Sequence, residues 1–257
     1  ANKWDFGHVA ILAGSQRMAG AGILAARAAL RMGSGLVTVG VPYSVNTAFK
    51  VAVPEAITIP LPQTHEGTIA PDAFRVLNSL LEKCSAVILG PGLSGHHETM
   101  NFILKIIEQV NKPLVIDGDA LNVLSRNLHL LEKKNIPIVL TPHKVEMSRL
   151  THRTVEEIMK NREKITAEFA HRYRVFCVLK GHHSLVADPN GMVYENTTGN
   201  PGMATAGTGD VLAGMIGSLL GQKMQPFEAL CFAVYLHGLA GDLVKKDKTE
   251  TCLIASD

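Results

Sequence analysis

Several common signatures are missing from this chain of 257 residues. Its four cysteines, Cys84, Cys177, Cys231 and Cys252, are widely spaced. They form no C-x-x-C pair, and none has a histidine at metal-ligand spacing. That excludes a sequence-evident zinc or redox site and favours reduced thiols in a cytosolic protein. No run of 18 uninterrupted apolar residues occurs, so no membrane span and no membrane partner are expected. Twenty-five basic against 23 acidic residues leave a formal net charge of +2, which argues against a nucleic-acid-coating surface. The first residues lack a signal-peptide layout. They also lack an initiator methionine, so either end is expected to be trimmed relative to the full product. No G-x-G-x-x-G follows the first apolar run, where the fingerprint of a dinucleotide-dependent oxidoreductase belongs.

What the chain has is 46% hydrophobic residues arranged in alternating patterns. Short apolar runs at 9–13, 36–41, 56–59, 86–89, 114–116, 138–140 and 175–179 read as strands. Helical spacing is found at 21–32, 71–82, 98–110, 211–220 and 226–244. Runs at 185–187 and 193–195 flank D-P-N-G, a hairpin signal. Strands alternating with helices, and apolar nearly throughout, predict a mostly parallel sheet with helices on both faces. With no linker, repeat or low-complexity stretch, residues 1–257 read as one α/β domain.

The polar clusters are placed informatively. G-S, G-P-G, D-G-D, T-P-H and K-G-H-H-S each follow a strand directly. In a parallel sheet the carboxyl ends of the strands share one edge, and ligands bind in the crevice outside it. Five loops are therefore expected to converge. A sixth element, Gly207-Thr208-Gly209-Asp210, opens a late apolar helix. Glycines there let a ligand approach the backbone, and the helix N-terminus attracts anions. Asp210 reads either as a helix cap or as a general base that takes a proton from a hydroxyl attacking phosphorus.

The motifs G-S-Q-R-M-A-G-A, G-P-G-L, P-L-V-I-D-G-D-A-L-N, L-T-P-H-x-x-E-M-x-R-L, V-L-K-G-H-H-S and N-P-G-M-A-T-A-G-T-G-D-V-L-A-G occur in that order. Together they resemble the ADP/ATP-dependent NAD(P)H-hydrate dehydratases of the ribokinase-like superfamily, from about Gly7 to Gly241. The resemblance implies an enzyme that uses ADP or ATP, with Mg2+, to phosphorylate the ring hydroxyl of hydrated NADH or NADPH. Phosphate then leaves and the dihydronicotinamide is restored. It makes Asp210 the catalytic base and Gly207, Thr208 and Gly209 the anion hole. Lys180, Gly181, His182, His183 and Ser184, with Gly209, become nucleotide contacts. Ala21, Gly92, His143 and Asp210 become contacts to the hydrated dinucleotide.

Glu146 either holds a metal-bound water or completes a capping box with the T-P-H turn. The family's T-P-H-P-G-E reads T-P-H-K-V-E here. Asp117, Asp119 and Asn122 are candidate supports for substrate or cation, with Asp119 equally a helix cap. The resemblance also implies a homo-oligomer, a tetramer being one option, and the small residues of 21–29 read as a surface that packs between subunits. An NAD(P)H-hydrate epimerase is the implied working partner. Two other readings keep the same fold: a kinase of a vitamin-precursor alcohol, and a non-catalytic nucleotide-binding subunit.

Overall fold

The computed structural model describes residues 2–257. The chain runs β1 (His8–Leu12), α1 (Ala19–Arg31), β2 (Leu36–Pro42), α2 (Asn46–Ala52), β3 (Ile57–Leu61), α3 (Phe74–Lys83), β4 (Ala86–Leu89), α4 (His97–Gln109) and β5 (Leu114–Ile116). It continues through α5 (Asp119–Leu124), β6 (Ile138–Leu140), α6 (Lys144–Thr151), α7 (Val155–Lys160), α8 (Arg162–Tyr173) and β7 (Phe176–Leu179). The last elements are β8 (Leu185–Ala187), β9 (Val193–Glu195), α9 (Thr208–Gly221) and α10 (Pro226–Lys248). The nine strands form one sheet in the order β3-β2-β1-β4-β5-β6-β7-β8-β9. β1 to β7 pair in parallel, and β7, β8 and β9 pair antiparallel. This is the α/β architecture read from the sequence, late hairpin included.

The alternation of side chains along each strand separates two cores. Ala10 and Leu12 face α3, α4 and the helices beyond them, around Leu77, Phe102 and Ile106. Val9 and Ile11 face α1, α9 and α10, around Ala25, Ile216 and Val234. With both sheet faces covered, the strands must be apolar throughout. In the β8–β9 turn the Asp188 carboxylate accepts the Asn190 and Met192 N–H groups at 2.9 and 2.7 Å. Gly191 there takes a φ of +90°.

The helix α9 is buried along nearly its whole length, and its glycines are what let it lie so close. A Cβ on Gly214 would stand 2.2 Å from the Ala25 carbonyl oxygen of α1, and one on Gly217 would stand 2.4 Å from Ile88 Cδ1 of β4. The small residues Gly22, Ala25, Ala26, Ala28 and Ala29 of α1 are accordingly buried within the chain. This corrects the expectation that the small residues of 21–29 pack between subunits: that face of α1 is already covered by α9. The helix α10, long and apolar enough to meet the length and composition of a membrane span, packs along α9, β7 and β8.

Candidate active site

The five strand-end loops meet along one edge, as their positions after parallel strands require. The Gly14 N–H donates to the Pro91 carbonyl at 2.8 Å, joining the loops after β1 and β4. The Asp117 N–H donates to the Leu89 carbonyl at 3.0 Å, joining those after β4 and β5. The Lys180 N–H donates to the Pro142 carbonyl at 2.8 Å, joining those after β6 and β7. His143 and Lys180 thus become parallel-bridge neighbours.

At the centre is an ion pair the sequence reading did not foresee. Lys180 Nζ donates to Asp117 Oδ1 at 2.8 Å, and the Thr141 hydroxyl donates to the same oxygen at 2.6 Å. Glu146 Oε2 lies 3.9 Å from Lys180 Nζ. Burial alone would lower the Lys180 pKa, but the charges of Asp117, Glu146 and Asp210 outweigh it and hold the ammonium above its ordinary value. Lys180 is therefore a fixed cation with a 19% exposed side chain, not a solvated strand-end lysine.

The N-terminus of α9 faces this cation. Gly207 is its N-cap at φ +96°, and Thr208 and Gly209 open the first turn. Asp210 follows in that turn and makes no capping hydrogen bond, so the capping reading of this residue does not hold. Burial, and next the charge of Asp117, push its pKa up to about 7, with Lys180 pulling the other way. A Cβ on Gly209 would stand 3.2 Å from Lys180 Nζ, which shows how closely the glycine turn and the ammonium approach.

His143 and Glu146 form a reciprocal capping box on α6. His143 Nδ1 accepts the Val145 and Glu146 N–H groups at 3.1 and 3.2 Å, and Glu146 Oε2 accepts the His143 N–H at 2.8 Å. Of the two readings held open for Glu146, capping is the one seen, and the tight turn survives Lys144 and Val145. Burial pushes the Glu146 carboxyl up to about 7 against the pull of Lys180. Asp119 is not a cap, because Gly118 holds that position. Its Oδ2 accepts the Ser94 N–H at 2.8 Å instead. Asn122 accepts from Arg149.

Two cavities open on this constellation. One of about 840 Å3 is lined by Asp117, His143, Lys180, Thr208, Gly209 and Asp210, among others. The second, of about 350 Å3, lies between the β8–β9 hairpin side and α9–α10, against Ser184, Asn196, Asn200 and His237. Lys180, Gly181, His182, Thr208 and Gly209 belong to both walls. His183 and Ser184 line the second, where the Ser184 hydroxyl closes the turn on the Gly181 carbonyl at 3.0 Å and His183 Nδ1 meets Glu195 Oε1 at 2.7 Å. Ala21 and Gly92 come together in a neighbouring group. A Cβ on Gly92 would meet Ala21 Cβ at 3.0 Å and the Met18 carbonyl oxygen at 2.6 Å.

Arg162, Asn200 and His237 escaped the sequence reading. Arg162 Nη2 holds the His183 carbonyl at 2.7 Å. The T-x-x-E signature at Thr154, just before α7, was a signal for the helices that deliver Arg162. Asn200 lies in the N-P-G-M block, where the asparagine carries no separate signal beside the glycines that follow.

The sequence profile of the NAD(P)H-hydrate dehydratase family matches residues 9–256. The chain belongs to that family. This member is 40% identical over 256 residues to a bifunctional NAD(P)H-hydrate repair enzyme of Moorella thermoacetica, with 100% of this chain and 48% of the relative covered. It is 37% identical over 251 residues to an ADP-dependent (S)-NAD(P)H-hydrate dehydratase of Neisseria meningitidis, covering 95% of this chain and 79% of that one. A Bacillus subtilis ADP/ATP-dependent NAD(P)H-hydrate dehydratase crystallised with ATP and Mg2+ is 29% identical with a TM-score of 0.83, covering 99% of this chain and 87% of that chain. The chain spans about half the length of the bifunctional curated relatives it matches. Likeness to a ribokinase-like protein of Enterococcus faecalis, with a TM-score of 0.84, agrees with the superfamily that the motifs imply.

Proposed function

We propose that this chain dehydrates hydrated NADH and NADPH at the expense of ADP or ATP. The observation that carries the reading is Asp210. A carboxylate without a capping role, poised near neutrality, stands at the glycine-opened start of α9 and faces a fixed ammonium across a cavity. In this reading the nucleotide occupies the smaller compartment, with its terminal phosphate directed to the shared wall. The hydrate's ring enters the larger one. Asp210 takes the proton of the ring hydroxyl as its oxygen attacks phosphorus, and the bond from phosphorus to the nucleotide breaks. Gly207, Thr208 and Gly209 offer backbone N–H groups to the charge that builds on the phosphoryl oxygens, and Lys180 offers its ammonium. The new phosphate ester then leaves as phosphate, the adjacent ring carbon loses a proton, and the dihydronicotinamide double bond is restored.

The Bacillus relative's ATP and Mg2+ support the same pair of ligands here. The donor set fits a magnesium ion that arrives with nucleotide phosphates and keeps most of its waters. Asp117 and Glu146 are the buried carboxylates flanking Lys180, and Glu146 is under-compensated enough for burial to raise it. Such an ion would neutralise phosphate charge.

The Neisseria relative is described as acting on the S hydrate, which supports an epimerase working beside this chain to convert the other form. A cytoplasmic location suits that role, and the exposed apolar residues Phe232, Tyr235 and Leu243 of α10 support a homo-oligomer. The decisive assay supplies hydrated NADH with ADP and then with ATP, and follows the return of near-ultraviolet dihydronicotinamide absorbance. Absence of signal with both nucleotides refutes the proposal.

A further inference from the structure

A third cavity of about 250 Å3 lies on the same sheet edge, beside the paired β1 and β4. It is lined by Ser15, Arg17, Met18, Glu66, Ser94 and His96, with Thr68 at its base. At this point the strand order reverses: the chain has laid β2 and β3 on one side of β1 and lays β4 to β7 on the other. Such a reversal splays the following loops apart and opens a ligand crevice.

Three independent features give the cavity a chemical character. Met18 and His96 are the N-caps of α1 and α4, both of 13 residues, and neither supplies a side-chain cap. The N-cap residues of two helices therefore line one small space, and an anion there would lie at both helix N-termini. Ser15 is 1% exposed, and its hydroxyl, like His96 Nδ1, has no hydrogen-bond partner among the described residues. A buried polar atom left unpaired is costly, and a ligand that bonds to it removes the cost. Arg17 stands at the mouth and adds a cation. The acids nearby are Glu66 in the wall and Glu98 in the first turn of α4. Hydroxyl groups suit Glu66 as partners.

The cavity is also tied to the reaction centre. Ser94 lines it and donates its N–H to Asp119, whose charge in turn raises the Asp210 pKa. The Met18 carbonyl stands over Gly92, and Ala21 packs against the same glycine. A dinucleotide whose ring reached Asp210 past Gly92 and Ala21 would have its far half here.

We infer that this cavity binds a phosphorylated ribose of the dinucleotide substrate, with Ser15, Arg17, His96 and the two helix N-termini on the phosphate and Glu66 on ribose hydroxyls. Its volume falls just below the range of roughly 300–1,000 Å3 that holds a drug-sized ligand, which suits one sugar phosphate and not the whole molecule. The inference rests on the proposed function for the identity of the substrate, but not for the chemistry of the cavity.

The test uses the full chain, Arg17→Ala, and Ser15→Ala, whose hydroxyl makes no bond within the fold. Ribose 5-phosphate binding is measured by calorimetry, and Michaelis constants are measured with hydrated NADH and ADP. Loss of one charged hydrogen bond is expected to weaken ribose 5-phosphate by about tenfold in Arg17→Ala. The KM for the hydrate should rise by a similar factor, with the KM for ADP unmoved. Wild-type turnover with an unchanged hydrate KM in both variants overturns the inference and leaves the proposed function standing. Sugar-phosphate binding that depends on Arg17, in a chain with no hydrate turnover, overturns the function and upholds the cavity's ligand chemistry.

Discussion

Asp210 combines two consequences of one placement. Its carboxyl is buried beside Asp117, so its pKa stands near 7 instead of the ordinary 3.8. A base must be ionised to accept a proton, so kcat/KM for the hydrate is expected to rise as pH climbs through about 7. A rate profile from pH 5 to 9 checks this. Asp210→Asn should remove turnover by on the order of 10²–10⁴ fold, as loss of a general base commonly does. Stability should move oppositely. Because the folded-state pKa lies above the unfolded one, the folded protein holds a proton the unfolded chain has released between pH 4 and 7. The wild type therefore loses stability as pH rises through that window, and the asparagine variant, which keeps the raised Glu146 but not this group, loses less. The variant is expected to melt higher than wild type at pH 8 and level with it at pH 3. A lower melting temperature for the variant at pH 8 would contradict the burial argument.

Among the elements, α9 sets the distances in the site, because its N-terminus carries the glycine turn and its body fixes that turn against the sheet. Gly214→Ala would drive a methyl into the Ala25 carbonyl, a backbone atom that cannot swing away. A loss of about 1–3 kcal/mol is expected from such overpacking, measurable by denaturant unfolding. Gly217→Ala meets the flexible end of Ile88 instead. Its cost should shrink when Ile88→Val is added, and a double-mutant cycle reads that coupling. Elements like α9 and the apolar strands were legible in the sequence because burial on every side writes an unbroken apolar run. The runs at 86–89, 114–116, 138–140 and 185–187 match their strands residue for residue, as does the less buried 193–195, which the D-P-N-G turn marks. The helices α2, α7 and α8 were not read, since α7 and α8 carry charge along exposed faces and their periodicity is weak. Asp210, Lys180 and the glycines were legible as local motifs. The Lys180–Asp117 pair was not, since its partners lie 63 positions apart and meet only once strand order is known.

On the scale of the whole molecule, the compartment proposed for the nucleotide is assembled from late parts of the chain. Residues 180–184 follow β7, residues 196–203 lead out of the hairpin, and Thr208, Gly209 and His237 come from α9 and α10. The opposite sheet edge, with β3 and α3, contributes nothing to its wall. A ligand there should therefore tie together segments that otherwise meet only through packing, and leave the far edge untouched. Binding to the folded state alone adds about 2.7 kcal/mol of stability at a concentration 100 times Kd. Saturating ADP with Mg2+ is thus expected to raise the melting temperature of wild type, and to do so much less in Lys180→Met, which loses the fixed cation. Amide hydrogen exchange locates the effect. Protection should gather at residues 180–184 and 196–210, with residues 57–83 exchanging as before. Protection spread evenly over the sheet, or gathered at β3 and α3, would mean that the nucleotide sits elsewhere, and the site built around Lys180 and Asp210 would have to be abandoned.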